Sequence, residues 1–320
     1  MDSNKKLTIL VTGVGGPAGI NISRLFQKRD DVFVIGCDVD ATATGQCFVD
    51  EFVIAPFVHD AAAYETWMKK IVTERTIDMV VPTVHEELPL LATFVAELPA
   101  YVPLASKEVL ALGEDKLTAY QYLEEHLPAS APRFVLLRDF SKEWAGGGET
   151  LFIKPRVGRG GRGCRRVTLS EILELKEKGE DLENIIVMEN LPGMEWTIDV
   201  FMVKCKEIVY LVPRERLGLA GGIAIKGRTV RHAAVIEATK AFLSKLDVEG
   251  PVCIQWKADA SGQPKFVEIN PRLSGGLMIS VAGGIDPAGA LVALARGKRP
   301  AEQNWQEVMV AGYLDYRILK

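Results

Sequence analysis

The strongest constraint on the fold is a change of rhythm along the chain. From Leu7 to about Pro103, short apolar runs alternate with helical stretches: "LTILVT", "AGINISRLFQKR", "VFVIGCD", "AAAYETWMKKIVTER", "DMVVPT" and "EELPLLATFVAEL". Strands alternating with helices at this spacing make βαβ units and a parallel sheet. Residues 104–145 read as helical through "SKEVLALGEDKLTAYQYLEEHL", up to the break at "PASAPRF". Beyond Thr150 strand follows strand: "ETLFIKP", "NIIVMEN", "EWTIDVFMV", "EIVYLVP", "GPVCIQWKAD" and "PKFVEIN", interrupted by one long helix, "RTVRHAAVIEATKAFLSKL". Consecutive strands favour antiparallel pairing. A chain of 320 residues is long enough for two or three lobes built around such sheets.

Charge narrows the class of ligand. The net charge is -4, which does not suit a nucleic-acid track, yet "KPRVGRGGRGCRR" and "PRERLGLAGGIAIKGRTVRH" concentrate Lys and Arg locally. Basic patches inside an acidic protein point to small anionic ligands. The five cysteines lie far apart with no C-x-x-C pair, and the four histidines are scattered, so no zinc or disulfide framework is legible. "MDSNKKLTIL" has no apolar signal core and no apolar run approaches the roughly 18 residues of a membrane span, so a cytoplasmic protein without membrane contact is expected.

Two glycine-rich loops compete for the chemistry. "TGVGGPAG" sets Gly13, Gly15, Gly16 and Gly19 between a strand and a helix, with Asp38 at the end of the next strand. A dinucleotide fold uses such glycines for pyrophosphate and such an acid for ribose, but the spacing is loose, and glycines also serve close helix packing. "LFIKPRVGRGGRGCRRV" places Lys154 at a strand end before Gly158, Gly160, Gly161 and Gly163. Successive backbone N–H groups there can converge on phosphate oxygens beside a compact positive charge. The lysine precedes the glycines and a strand follows them, so this is not a Walker loop.

The second loop has partners downstream. "VMENLPGMEWTIDV" puts Glu189 and Glu195 around a Pro-Gly turn. "CIQWKADASGQPKFVEINPRLSGG" sets Gln255, Glu268, Asn270 and Arg272 on two strands joined by a turn. Glu268 and Asn270 project from one face, because strand side chains alternate with period two. Two oxygen-bearing groups side by side, with a third from the neighbouring strand, suit magnesium and phosphate oxygens.

In this order the motifs resemble the ATP-grasp ligases, most closely a synthetase unit of the carbamoyl-phosphate synthase large subunit. The resemblance implies an α/β chain: an N-terminal Rossmann-like (pre-ATP-grasp) lobe with a parallel sheet, then a two-lobed α+β ATP-grasp domain with antiparallel sheets. The implied boundaries are residues 1–103 for the first lobe, 104–149 for a helical linker and the start of the ATP-grasp domain, and 150–320 for the ATP-grasp domain. A glycine-rich lid lobe runs over about 116–190 and a metal-binding lobe over about 191–320. The resemblance further implies that Lys116, Lys154, Gly160, Gly161 and Gly163 hold ATP phosphates. Glu189 and Leu191 fall at a hinge that contacts adenine, and Glu195 at the ribose, with a spacing one residue shorter than in some relatives. Gln255, Glu268 and Asn270 match ligands for Mg2+ or Mn2+, the neutral Gln255 replacing an acid found in many members. Arg272 matches the arginine that reaches the transferred phosphate.

The implied reaction is ADP-forming ligation, in which a carboxylate is activated as an acyl phosphate and attacked by an amine. Both partners are small molecules, and the assembly is open to a homodimer. "VPRERLGLAGGIAIKG" offers Arg214 or Arg216 as a clamp on the substrate carboxylate, with surface cover as the plain alternative. Glu86 and Glu87 follow the strand "MVVPT", where one could meet an amine or both could be solvated helix-start acids. Asn21 and Ser23 read as ordinary first-turn helix residues. Two other functions stay open: a single carbamoyl-phosphate synthase-like unit acting with partner subunits, and an NAD(P)-dependent reductase or epimerase using "TGVGGPAG".

Overall fold

The β-branched, apolar stretch Leu7–Thr12 forms strand β1, and Pro17 opens the amphipathic helix α1 (Pro17–Phe26) that returns the chain to β2 (Val32–Asp38). There follow β3 (Glu51–Ile54), α2 (Ala61–Glu74), β4 (Met79–Val81) and α3 (Glu87–Phe94). The four strands form one parallel sheet in the order β3-β2-β1-β4. This computed structural model describes residues 6–146, 150–158, 160–179 and 181–312.

The helical connection breaks where the sequence suggests one continuous stretch. Asp115 leaves helical geometry (φ -116°, ψ 111°) and its carboxylate accepts from the Leu117 N–H at 2.9 Å. It thereby ends α4 (Lys107–Glu114) and caps α5 (Lys116–His126). The next elements are β5 (Phe134–Leu136), α6 (Lys142–Ala145), β6 (Thr150–Pro155), β7 (Arg165–Thr168), α7 (Leu169–Glu177) and β8 (Ile185–Glu189). Their strands form an antiparallel sheet in the order β5-β8-β6-β7.

The remaining chain builds the largest sheet. Strands β9 (Glu195–Val203), β10 (Glu207–Ala220) and β11 (Ile223–Thr229) precede α8 (Ala233–Leu243). They are followed by β12 (Gly250–Ala258), β13 (Pro264–Asn270), α9 (Leu277–Ala282), α10 (Pro287–Ala295) and β14 (Met309–Ala311). The antiparallel order is β13-β12-β9-β10-β11-β14. One expectation is corrected here, the start of the long helix. "VPRERLGLAGGIAIKG" forms the β10–β11 hairpin, turning at Gly221 and Gly222. Helix α8 starts at Ala233, because Arg228 and Thr229 are claimed by β11 and His232 caps the helix. Of the tail "GYLDYRILK", only Gly312 lies within the described residues.

One core locks the parallel and large sheets together, and two more cover their other faces. Ile9, Val11, Ile22 and Phe26 pack with Phe201, Tyr210 and Leu291, joining the parallel sheet to one face of the large sheet. The other face of the parallel sheet buries Tyr64, Met68 and Leu91. Trp256, Phe266 and Phe242 fill the opposite side of the large sheet against Val109, Tyr120 and Leu123. Among the described residues no helix is long and apolar enough to cross a membrane.

Candidate active site

The loop between β6 and β7 is anchored at its root. Lys116, the first residue of α5, donates from Nζ to the Gly158 carbonyl at 2.7 Å, and Arg156 pairs with Asp115. At its tip the loop meets the β10–β11 turn, since a Cβ on Gly222 would lie 3.3 Å from the Gly160 carbonyl oxygen. Beneath them lies a cavity of about 390 Å3, lined by Lys116, Gly158, Gly160, Arg162, Arg214, Arg216, Gln255, Glu268, Asn270 and Arg272. Residues as far apart in sequence as Lys116 and Arg272 thus face one space.

Glu268 sits at the centre of the acidic corner. Its Oε1 accepts from Gln255 Nε2 at 2.7 Å and from Asn270 Nδ2 at 3.0 Å, and β12 and β13 pair Gln255 directly with Glu268. Period-two projection therefore does bring Glu268 and Asn270 together. Among the described residues no cluster of three or more His, Cys, Asp or Glu side chains forms a self-sufficient metal cage. One carboxylate and two amide oxygens suit a hard cation that takes its other ligands from substrate phosphates and water.

Lys154 lies deeper than Lys116. It is buried, its Nζ 3.2 Å from the Val267 carbonyl and 4.7 Å from the centre of the Tyr120 ring. Burial lowers its pKa to about 8 against the raising influence of Glu268.

The arginines separate by what already holds them. Arg214, 2% exposed, binds Asp199 Oδ2 at 2.8 Å through Nε and the Ser274 hydroxyl at 3.0 Å through Nη2. Ser280 donates to the same Asp199 oxygen, while Arg214 Nη1 is buried without a partner. A buried pair of this kind is costly to break, so truncating Arg214 would strand Asp199 at about 3–5 kcal/mol. Arg216 lies 2.9 Å from Glu195 at its Nε, which makes no aligned hydrogen bond, and its Nη1 and Nη2 donate to Thr197 and the Gly222 carbonyl. It braces the hairpin rather than presenting a free fork. Arg272 donates to the Leu273 carbonyl through Nη1, and its Nε is buried and unpartnered.

Lys154 and other expected residues are placed outside this cavity's lining. Gly161 and Gly163 sit farther round the loop, while Leu191 is buried. Glu189 accepts from the Arg133 N–H at 2.8 Å, and Glu195 is tied to Arg216 and Lys257.

Three features escaped the sequence reading. His85 lines the cavity, with Nε2 3.5 Å from Glu114 and a buried, unpartnered Nδ1. Burial, followed by the charge of Arg272, lowers its pKa, so the imidazole is neutral at physiological pH. A lone histidine after a strand carries no signal by which to find it. Asn21 is more than a helix-turn residue, because its Nδ2 donates to the Gly275 carbonyl at 3.0 Å and ties α1 to the loop after β13. Glu87 is not solvated: it is buried and accepts from Thr12, Tyr64 and the Val84 N–H, and burial raises its pKa.

A parallel-sheet lobe followed by two antiparallel sheets that close on a shared cleft is the architecture of the ATP-grasp proteins. Residues 181–315 match the family described as "ATP-grasp in the biosynthetic pathway with Ter operon", and residues 9–100 match "PylC-like, N-terminal domain". The chain carries an ATP-grasp domain behind a PylC-like N-terminal domain. No curated protein matches it.

Solved structures show the same fold at low identity. N5-carboxyaminoimidazole synthetase from Staphylococcus aureus, complexed with ADP, is 17% identical with a TM-score of 0.72, over 96% of this chain and 81% of that one. L-amino acid ligase from Bacillus licheniformis is 18% identical at TM-score 0.70, covering 92% and 75%. The biotin carboxylase domain of Hydrogenobacter thermophilus 2-oxoglutarate carboxylase, with MgADP and bicarbonate, is 15% identical at 0.69, covering 91% and 70%.

Proposed function

We propose that this protein is an ATP-dependent, ADP-forming ligase that joins a small-molecule carboxylate to an amine. The observation that carries the reading is the convergence of Lys116, Arg214 and Arg272 with Glu268, Asn270 and Gln255 around one cavity beneath a glycine-rich loop. The fold and the ADP-bound relatives support it.

ATP phosphates lie under Gly158 and Gly160, where backbone N–H groups and the Lys116 and Lys154 ammoniums offset their charge. Mg2+, held by Glu268 with the Asn270 and Gln255 amide oxygens, supplies neutralisation of the phosphate charge when bound. The carboxylate substrate rests on the cavity wall formed by Arg214 and Arg272. Asp199, Ser274 and Ser280 fix the first of these, so little reorganisation is needed as charge develops.

A carboxylate oxygen attacks the γ-phosphorus and ADP departs, leaving an acyl phosphate. The amine nitrogen then attacks the acyl carbon, the C–O bond to phosphate breaks, and the nitrogen gives up a proton. The contact between the glycine loop and the hairpin turn keeps water from the intermediate.

The test is stoichiometric. Purified protein with ATP and Mg2+ releases one ADP and one phosphate per amide formed, only when both a carboxylate and an amine are present. ADP release that is indifferent to every carboxylate offered contradicts the reading.

A further inference from the structure

The basic cavity has a neighbour of opposite character. A larger cavity, of about 800 Å3, lies beyond the carboxyl ends of β1, β2 and β4, where an open parallel sheet receives ligands. Its acidic lining residues are Asp38, Glu86, Glu87 and Glu114, His59 also lines it, and neither Lys nor Arg is among those that line it. Its walls are apolar, from Ala55, Pro56, Val58 and Leu90, and Phe57 and Val39 stand 56% and 40% exposed. Exposed apolar side chains gathered at one opening mark a surface built to be covered.

A third space lies between the two cavities. Of about 260 Å3, it shares Gly13, Asp38 and Val84 with the larger cavity and His85, Arg272 and Gly275 with the basic one. A molecule seated over the parallel sheet therefore borders a space that Arg272 also lines.

The acids differ in what they can do. Glu87 is spent on Thr12, Tyr64 and the Val84 N–H. Asp38 accepts from the Gly15 N–H at 2.7 Å and the Asp40 N–H at 3.1 Å, which fixes a carboxylate that still has lone pairs for a cation. Glu86 is exposed at the start of α3, and Glu114 reaches toward His85 from α4.

We propose that the larger cavity binds the nucleophile, a primary amine with an apolar body and no carboxylate beside its nitrogen. The assignment of this amine as nucleophile rests on the ligase reading of the basic cavity. Asp38 and Glu86 attract an ammonium and repel a carboxylate, whereas Arg214 and Arg272 do the reverse. Charge thus sorts the two substrates to opposite ends of one channel. An aryl or branched alkyl body covers Phe57 and Val39 and takes their surface from water.

Calorimetric titration of the full chain, with and without AMP-PNP and Mg2+, tests this. Three probes separate the contributions: 2-phenylethylamine, phenylalanine (the same body with a carboxylate) and ethanolamine (the same amine without the body). The first should bind about tenfold or more tightly than either of the others. Val39→Lys places an ammonium at the exposed rim and should weaken it about tenfold, with AMP-PNP affinity unchanged. Equal binding of phenylalanine or ethanolamine, or indifference to Val39→Lys, overturns the assignment. A chain that binds AMP-PNP without preferring the arylalkyl amine refutes this inference alone. One that binds the amine but not AMP-PNP refutes the ligase reading instead.

Discussion

The two glycine-rich loops look alike as strings and differ in what surrounds them. In "TGVGGPAG" the glycines are packing devices: a Cβ on Gly19 would lie 2.3 Å from the Gly13 carbonyl oxygen and 2.8 Å from Val14 Cα. Asp38, which a dinucleotide site would keep for ribose, accepts from the Gly15 N–H of that same loop. In "VGRGGRG" a Cβ on Gly160 or Gly161 would meet nothing within 4 Å, and both residues have left-handed φ, +64° and +71°. At Gly19 the first loop needs glycine because backbone touches backbone, and at Gly13 the chain takes a left-handed φ of +59° against the Val84 side chain. The second needs it because the chain itself turns in a way other residues resist, with open space left for a ligand.

The sharpest way to break this comparison is Gly19→Ala. Backbone must move to admit the methyl group, so stability should fall by about 3 kcal/mol. Thermal unfolding should show a drop of roughly 5 °C, while AMP-PNP affinity of the folded protein is unchanged. A silent Gly19→Ala would mean that the first loop is no packing device.

The second expected effect is a pH dependence at the other loop. Lys154, with its pKa lowered to about 8 by burial, loses its proton in the free protein as pH rises through 8. Phosphate affinity should fall there, approaching tenfold per pH unit well above 8. Stability moves the opposite way. Between pH 8 and the unfolded value of about 10.4, the unfolded chain binds more protons, so Lys154 makes the apo protein more stable as pH rises. Lys154→Arg keeps its charge and should flatten the affinity profile. AMP-PNP titrations and thermal melts from pH 7 to 9.5 check both slopes.

The smallest effect is Gly161→Ala. With open space around it, only the left-handed backbone resists, at about 1 kcal/mol. AMP-PNP affinity should fall about fivefold with little change in melting temperature. A large loss of stability would place this loop in the same class as the first.

Much of the fold was legible because periodicity survives in single elements. Strands β1, β2 and β4 carry continuous apolar runs, and β13 shows its alternation clearly enough to put Glu268 and Asn270 on one face. What escaped was set by distance or by exposure. β3 is a short edge strand with no fully buried residue, so its pattern is faint. The tip half of β10 and β11 carry Arg, Lys and Gly, with Arg214 and Arg216 lining the cavity and Arg228 pairing with Glu215, and such a composition reads as loop. Glu87 is buried by Thr12 and Tyr64, 75 and 23 residues away, and no local pattern announces that. The apolar cavity was invisible for the same reason, being assembled from segments around Asp38, Phe57 and Leu90.

The central claim is that the second glycine loop, not the first, holds the nucleotide. Calorimetric binding of AMP-PNP with and without Mg2+, beside NADPH, on wild type and Lys154→Ala tests it most directly. The account expects Mg2+-dependent AMP-PNP binding, weakened about a hundredfold in Lys154→Ala, and no NADPH binding. Tight NADPH binding with indifference to AMP-PNP would contradict it and return the chemistry to "TGVGGPAG".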